Sequence, residues 1–378
     1  MQTNRLLWVV ALTSLAAASC SEGPLGTGPK RDLTASMAGL EGPGAVYVMS
    51  NATGANEVIV FDRSADGQLT PAGTYATGGT GTSGGLGNQG SVILTKDQRR
   101  LYVVNAGSND ISAFRVTRVG LQLLGPTVPS DGQLPISLTV HGDLLYVLNA
   151  GGSGGIAGFR IGNGGVPTPI AGSIQPLSSP AAGSAQIQFS PDGRILIVTE
   201  KATNTISTYT VGSDGVASGP NAQTSAGQTP FGFSFNQRGD LVVSEAFGGA
   251  PNASTVSSYR LDRDGNLELI SGQVATTQTA ACWIAISQNG KFAFTTNTGS
   301  GTISSLKIGS GATLTLQEAV AGTGIAPLDA AFTPGGRFLY VRNGGGTIGA
   351  FRAEAKGGLA HIGDFGLLPG GANGIAAR

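Results

Sequence analysis

A unit of about fifty residues is written seven times along this chain, and each copy carries a strand reading like Tyr340-Val341-Arg342-Asn343. The copies begin at Tyr47, Tyr102, Tyr146, Ile197, Val242, Phe294 and Tyr340, at intervals of 55, 44, 51, 45, 52 and 46 residues. One such unit cannot bury its own apolar face, so a period in this range requires a stack or a ring.

Each unit holds four short alternating stretches. The first is Ile187-Gln188-Phe189 running into Ser190-Pro191-Asp192-Gly193, matched by Ala331-Phe332 before Thr333-Pro334-Gly335-Gly336. The Tyr-Val strand is second. The third recurs as Ile111-Ser112-Ala113-Phe114-Arg115, Ile156-Ala157-Gly158-Phe159-Arg160 and Ile348-Gly349-Ala350-Phe351-Arg352, and the fourth follows a turn glycine, as in Asp66-Gly67-Gln68-Leu69. Period-2 alternation bounded by Asp-Gly turns signals hairpins, and four strands per unit make a propeller blade. The expected fold is an all-β, seven-bladed β-propeller of four antiparallel strands per blade over residues 45–378.

The two ends carry complementary halves. The chain enters on a Tyr-Val strand with no first strand before it, and leaves on Gly374-Ile375-Ala376-Ala377-Arg378, a first strand with no second. If the tail supplies the inner strand of the opening blade, the ring closes without a free edge. The 62 glycines, 12% charged residues and lack of an amphipathic helical stretch fit tight turns and face-packed sheets.

Residues 1–20 read as an export signal. Arg5 supplies positive charge, Leu6 to Leu15 an apolar run too short for a comfortable membrane span, and Ala16-Ala17-Ala18-Ser19-Cys20 a small-residue cleavage region. Cys20 resembles a lipobox cysteine, although Ala17 stands where leucine is usual; lipidation of Cys20 and plain cleavage after Ala18 are the two alternatives. Residues 21–44, rich in Gly and Pro, read as a tether. The product is expected in the periplasm or at the cell surface, touching membrane only through a lipid on Cys20, or secreted if Cys20 carries none. With Cys20 removed or acylated, Cys282 has no partner for a disulfide, and its apolar surroundings suggest a buried small side chain.

Charge excludes one class of partner. Lys+Arg and Asp+Glu number 22 each, and the longest basic cluster is Gln98-Arg99-Arg100, so no footprint for nucleic acid exists. Nor is a Lys/Arg cluster evident to receive a phosphate. The two histidines, His141 and His361, stand in non-equivalent blade positions, expected on surface turns or outer strands, which argues against a His-based metal centre. No cofactor is called for, though backbone carbonyls with Asp or Glu would suffice for Ca²⁺ or Mg²⁺ in the channel.

The sevenfold Tyr-Val-x-Asn strand, the Ser-Pro-Asp-Gly turn and the Ile-Ser-x-Phe-Arg strand resemble those of Tyr-Val-Thr-Asn-type propellers. Residues 45–378 as a whole resemble the bacterial lactonase family, which includes 6-phosphogluconolactonase and the fungal carboxymuconate cyclase, and Glu200-Lys201-Ala202-Thr203-Asn204-Thr205-Ile206 is similar to that family's Asn-Glu-Leu-x-x-Thr-Val segment. The resemblance implies an Arg-His pair on an inner strand before a Pro-x-Gly turn and a glutamate on the next strand, groups suited to holding an oxyanion or enolate and moving a proton. Here Ala185 and Gln186 occupy the Arg and His positions, Pro135-Ile136-Ser137-Leu138 replaces a further expected inner-strand His, and Glu200 alone is kept.

Stacking the inner strands in register gives a column Ser91, Ser137, Gln186, Gly232, Trp283, Asp329, Gly374, whose mixed polarity suggests a solvated mouth, beside an apolar column from Val92 to Ile375. The second strands end in Ser50, Asn105, Asn149, Glu200, Glu245, Asn297 and Asn343. Glu200 and Glu245 could share a cation or polyol, or instead satisfy turn amides, Lys201 or Arg238. Trp283 could stack on a sugar or pack between blades. Glu200 is the catalytic candidate, and Gln186, Glu245, Trp283 and Asp329 are the ligand-binding candidates. Two functions follow: a monomeric exported binding protein for a lactone, sugar, glycan or envelope protein, or a lactone-hydrolysing or cycloisomerase enzyme using Glu200.

Overall fold

A computed structural model of the protein describes residues 41–378, so Cys20, the segment read as an export signal and most of the stretch read as a tether lie outside the described residues. Seven antiparallel sheets follow one another in chain order as blades 1 to 7. Their inner strands, from blade 1 to blade 7, are Asn373–Ala377, Val92–Leu94, Pro135–His141, Ser184–Phe189, Pro230–Phe235, Ala281–Ile286 and Pro327–Phe332. Two 3₁₀ turns, Phe247–Gly249 and Ser310–Ala312, are the helical content of the described residues. No helix among them is long and apolar enough to cross a membrane.

The seam closes as the orphan strands require. Val46 pairs with Ala377, Tyr47 with Ala376 and Met49 with Asn373, and the main chains of Ala45 and Arg378 exchange hydrogen bonds of 3.1 and 2.9 Å. Blade 2 adds a short segment, Val128–Pro129, against its third strand Asp110–Thr117.

Two repeated motifs turn out to be partners across blades. Tyr102, Tyr146 and Tyr340 are each fully buried, and each hydroxyl donates to the carbonyl of a turn glycine in the following blade: Gly165 at 2.8 Å, Gly215 at 2.6 Å and Gly67 at 2.8 Å. Each tyrosine lies opposite a small residue on the third strand, Ala113, Gly158 or Ala350. Where the tyrosine is lost, the opposite residue gains the hydroxyl. Ile197 faces Thr208, which donates to Gly265 at 2.7 Å, and Val242 faces Ser258, which donates to Ala312 at 2.7 Å. Blades 1 and 6 depart from the pattern: Tyr47 faces Val60, and Phe294 faces Ser305, whose hydroxyl is buried without a partner. A buried inter-blade hydrogen bond of this kind contributes about 1 kcal/mol net, and more is lost if one partner is left alone.

We call the end at which the second strands finish the upper face, and the end carrying Ser190-Pro191-Asp192-Gly193 and its equivalents the lower face. The register of the first two strands slips near the upper end in blades 1 and 3 to 7, as between Ser184 and Gln186. Such a bulge re-aims the side chains around it. It turns Gln186, Trp283 and Asp329 to the upper axis.

Candidate functional site

The upper end of the axis is closed by the chain itself. The connection from blade 1 to blade 2 runs through a glycine-rich stretch, Thr80-Gly81-Thr82-Ser83-Gly84-Gly85-Leu86-Gly87, and then lays Asn88-Gln89-Gly90 across the axis. Ser137 donates to the Gln89 carbonyl at 2.6 Å, Gln89 N–H to Ala185 O at 3.2 Å, Leu138 N–H to Gly90 O at 2.9 Å and the Trp283 indole to Asn88 O at 2.6 Å. The Gln89 amide doubles as a strand edge: Nε2 donates to Ile284 O at 3.0 Å and Oε1 accepts from Ile284 N–H at 3.3 Å. Glycine is needed at position 232 for this crossing, because a Cβ there would sit 2.4 Å from Gln89 Oε1. Lys201 fastens the approach. Its Nζ donates to Gly87 O at 2.5 Å and lies 4.6 Å from the centre of the Phe231 ring; burial without a carboxylate partner pulls its pKa down to about 8.

The column read as a solvated mouth is therefore a buried hub. Ser91, Ser137, Gln186, Trp283 and Asp329 are all 5% exposed or less. Gln186 repeats the strand-edge device, donating from Nε2 to Phe233 O at 3.0 Å and accepting from Phe233 N–H at 2.7 Å, so blade 4 is tied to blade 5. Trp283 packs on Phe231 with ring centres 4.9 Å apart. Alternation predicted the polarity but not the strand that would cover it.

Below the crossing lies an axial cavity of about 390 Å³, bounded above by Gln89, Gly90, Gln186 and Asp329 and reaching the lower ends of the inner strands. Its polar lining is made of glutamines, Thr139, Ser234 and the Asp329 carboxyl, with apolar residues between them and no basic side chain among the described residues. Asp329 accepts from Ala330 N–H at 2.8 Å and Gly90 N–H at 3.4 Å. Burial outweighs these bonds and the attraction of Arg342, and lifts its pKa to about 7. The same burial lowers Arg342 to about 10.

Of the sequence candidates, Gln186 and Asp329 line this cavity; Glu200, Glu245 and Trp283 do not. Glu200 is fully buried within blade 4, where it accepts from Ser178 N–H at 3.1 Å, Ser207 at 2.7 Å, Thr203 at 3.2 Å and the Ser178 hydroxyl. Glu245 is held likewise by Gly227 N–H at 2.8 Å, Ser225 at 3.4 Å and the Thr255 hydroxyl, with burial raising its pKa. Asn297 does the same job in blade 6, donating to Ser304 at 2.8 Å and Thr302 at 3.1 Å. The two acids hold equivalent turns in neighbouring blades; Lys201 reaches Gly87 and Arg238 pairs with Asp240 at 3.4 Å. His361 is on an outer strand as expected, whereas His141 is not at a turn but ends the inner strand of blade 3. Cys282 is a buried free thiol whose pKa burial lifts to about 11. No three His, Cys, Asp or Glu side chains converge as a metal site among the described residues.

The missed element is the crossing Asn88-Gln89-Gly90, and it had a signal: the Tyr47 to Tyr102 interval of 55 residues is the longest of the six, and the surplus is glycine-rich.

Fold and axis together define a seven-bladed propeller sealed by its own C-terminal strand, with a cavity on the axis. The family described as lactonase, 7-bladed beta-propeller, matches residues 44–175, 171–283 and 252–364, and the chain belongs to it. No curated protein sequence matches the chain. Among solved structures it is similar to a putative 6-phosphogluconolactonase from Bacteroides fragilis, with 22% identity, TM-score 0.69 and coverage of 89% of this chain and 98% of that one. The periplasmic gluconolactonase of Pseudomonas aeruginosa gives 18% identity, TM-score 0.69 and coverage of 89% and 99%. A Lactobacillus plantarum protein gives 18%, 0.72, 89% and 100%. At these identities the likeness is one of fold.

Proposed function

We propose that this protein is an exported lactonase-family propeller that binds a small neutral polyhydroxy ligand, a sugar or sugar lactone, in its axial cavity and does not turn it over. The observation that carries this reading is the cavity lining. It offers amides and hydroxyls, which suit a polyol, and no basic group to hold an oxyanion. Of the partly exposed polar side chains there, Gln89 is held by Ile284, while the Ser234 hydroxyl has no protein partner and the Gln188 amide is engaged only as an acceptor from Gln186 at 3.2 Å. Ala185 and Gln186 stand at the positions of the family's Arg-His pair, and Gln186 is occupied with Phe233. The apolar run and small-residue region before Cys20 support export, as does a periplasmic relative of the same fold.

Titration of the purified protein with a sugar panel, followed by Trp283 emission and calorimetry, tests this. Trp283 reports because its indole binds Asn88 O, next to Gln89 at the cavity wall. Saturable binding of a neutral sugar, weakened by Gln188→Ala and Ser234→Ala, is expected; silence across the panel would sink the reading. Anchoring through Cys20 is tested separately by fractionating cells that express wild type and Cys20→Ala, with release of the variant alone expected.

One observation favours a second reading, hydrolysis of a lactone. Asp329, with its pKa near 7 and its place at the cavity wall, has the affinity of a general base at neutral pH. Turnover of any lactone above background, lost in Asp329→Asn, would establish that reading over the first.

A further inference from the structure

We propose a second site, beside the axial one, in which a cleft at the lower ends of blades 2, 3 and 4 binds a small organic oxyanion carrying a phosphate or carboxylate group. The fold assembles there what the sequence scattered. The cleft, about 490 Å³, is lined by Lys96 and Arg100 from the first turn of blade 2, His141 from the end of the blade 3 inner strand, and Gln188 and Ser190 from blade 4. Lys96, Arg100 and His141 enter no ion pair among the described residues.

The one acid in the lining is Asp97, and it is turned into its own loop. Its carboxylate accepts from the Thr95 hydroxyl at 2.6 Å and from Arg99 N–H at 3.1 Å, bonds that lower its pKa. The basic groups are left facing the cleft. The Arg100 stem crosses Gly165, where a Cβ would lie 2.7 Å from Nε, and one Nη donates to Asn163 O at 3.0 Å, which fixes the guanidinium without neutralising it. The His141 ring is set against Phe189, 5.8 Å between centres, and against Gly193, where a Cβ would meet Nδ1 at 2.1 Å; neither ring nitrogen has a protein hydrogen-bond partner. A positioned guanidinium and an exposed ammonium in one concave site suit an oxyanion, the first by planar two-point contact and the second as a point charge. The cleft and axial cavity share Thr139, Val140 and Gln188, so the two sites adjoin.

The test is calorimetric titration of the full chain at low salt with inorganic phosphate and, in parallel, citrate. Binding of at least one anion at one site per chain is expected, weakened about tenfold or more in Lys96→Ala/Arg100→Ala, as loss of two charged contacts implies. The Lys307→Ala control, on an exposed face of blade 6, should bind as wild type. Phosphate alone binding assigns a phosphorylated ligand, and citrate alone a carboxylate. Should the double variant fold poorly, Lys96→Gln at the exposed turn gives the same reading with a smaller loss. No heat with either anion, or binding unchanged in the variants, would overturn the proposal, whatever the axial cavity does with neutral sugars.

Discussion

Replacing Gln186 by alanine asks whether this inner-strand residue of blade 4 is structural. Its amide satisfies both Phe233 main-chain groups, at 3.0 and 2.7 Å, and Phe233 is completely buried. Gln186→Ala strands a buried donor and a buried acceptor, each costing about 1–3 kcal/mol when left unpaired. Water from the axial cavity will recover part of that, so the net loss is about 2–4 kcal/mol. Residues 41–378, 338 in all, form one compact unit. At about 2.1 cal/mol/K of unfolding entropy per residue, ΔS is roughly 0.7 kcal/mol/K, and 3 kcal/mol becomes about 4 °C in Tm. The neighbouring Gln188→Ala removes only a 3.2 Å contact with Gln186 and should shift Tm by less than about 1 °C. Calorimetric melting of both variants settles the matter. Equal melting temperatures would refute the reasoning and return Gln186 to the pool of free ligand-binding groups.

Three further outcomes follow from the same geometry. Deleting residues 373–378 removes the blade 1 inner strand and the buried Ile375, a loss of several kcal/mol against a total of about 5–15 for a typical protein, so urea unfolding should lose its single cooperative transition; a truncated chain melting like wild type would contradict ring closure by this strand. Tyr146→Ile and Gly158→Thr should each destabilise, the second because a Cβ at position 158 lies 2.5 Å from the Tyr146 ring, while the double variant rebuilds the Ile197–Thr208 pair of blade 4 and loses less than the sum; additivity within about 0.5 kcal/mol would argue against exchange of the hydroxyl between strands. Asp329 has a folded pKa near 7, above its unfolded value of 3.8, so the native state holds the proton more tightly and stability falls as pH rises from about 4 to about 7, by at most about 4 kcal/mol. Asp329→Asn should flatten that slope in urea titrations at pH 4.5 and 8, and an unchanged slope would assign it to another group.

The fold was legible because its signals are local and repeated. Strand alternation, the Asp-Gly turns and the orphan strand at each end are properties of neighbouring residues, and the ring follows by counting. The cross-blade exchange between Tyr146 and Gly158 or Ile197 and Thr208 was in the same sequence, yet it needed the register to show which residues face one another. The site was less legible for the same reason. Glu200 and Glu245 stand in a column with five uncharged polar residues, four of them asparagine, which is what a turn-holding position looks like; charge drew attention to them, while their burial and their ring of hydroxyl and amide donors are tertiary facts. Lys96, Arg100 and His141 span 46 positions and could be joined only by the closing of blades 2 and 3.

The crossing and the uncharged Ala185-Gln186 pair fit one another physically. A loop laid over the axis removes solvent from the upper hub, and a guanidinium or imidazolium left beneath it would carry the desolvation cost of a charge without a partner. Lys201 and Arg342, both lowered by burial, show that cost at work close by. A glutamine at position 186 escapes it, because a neutral amide both donates and accepts, as the open edge of Phe233 requires. Alanine at position 185, fully buried, adds no charge to the hub. A covered axis and an uncharged pair beneath it therefore favour each other, and the cavity lies on the lower side of the crossing.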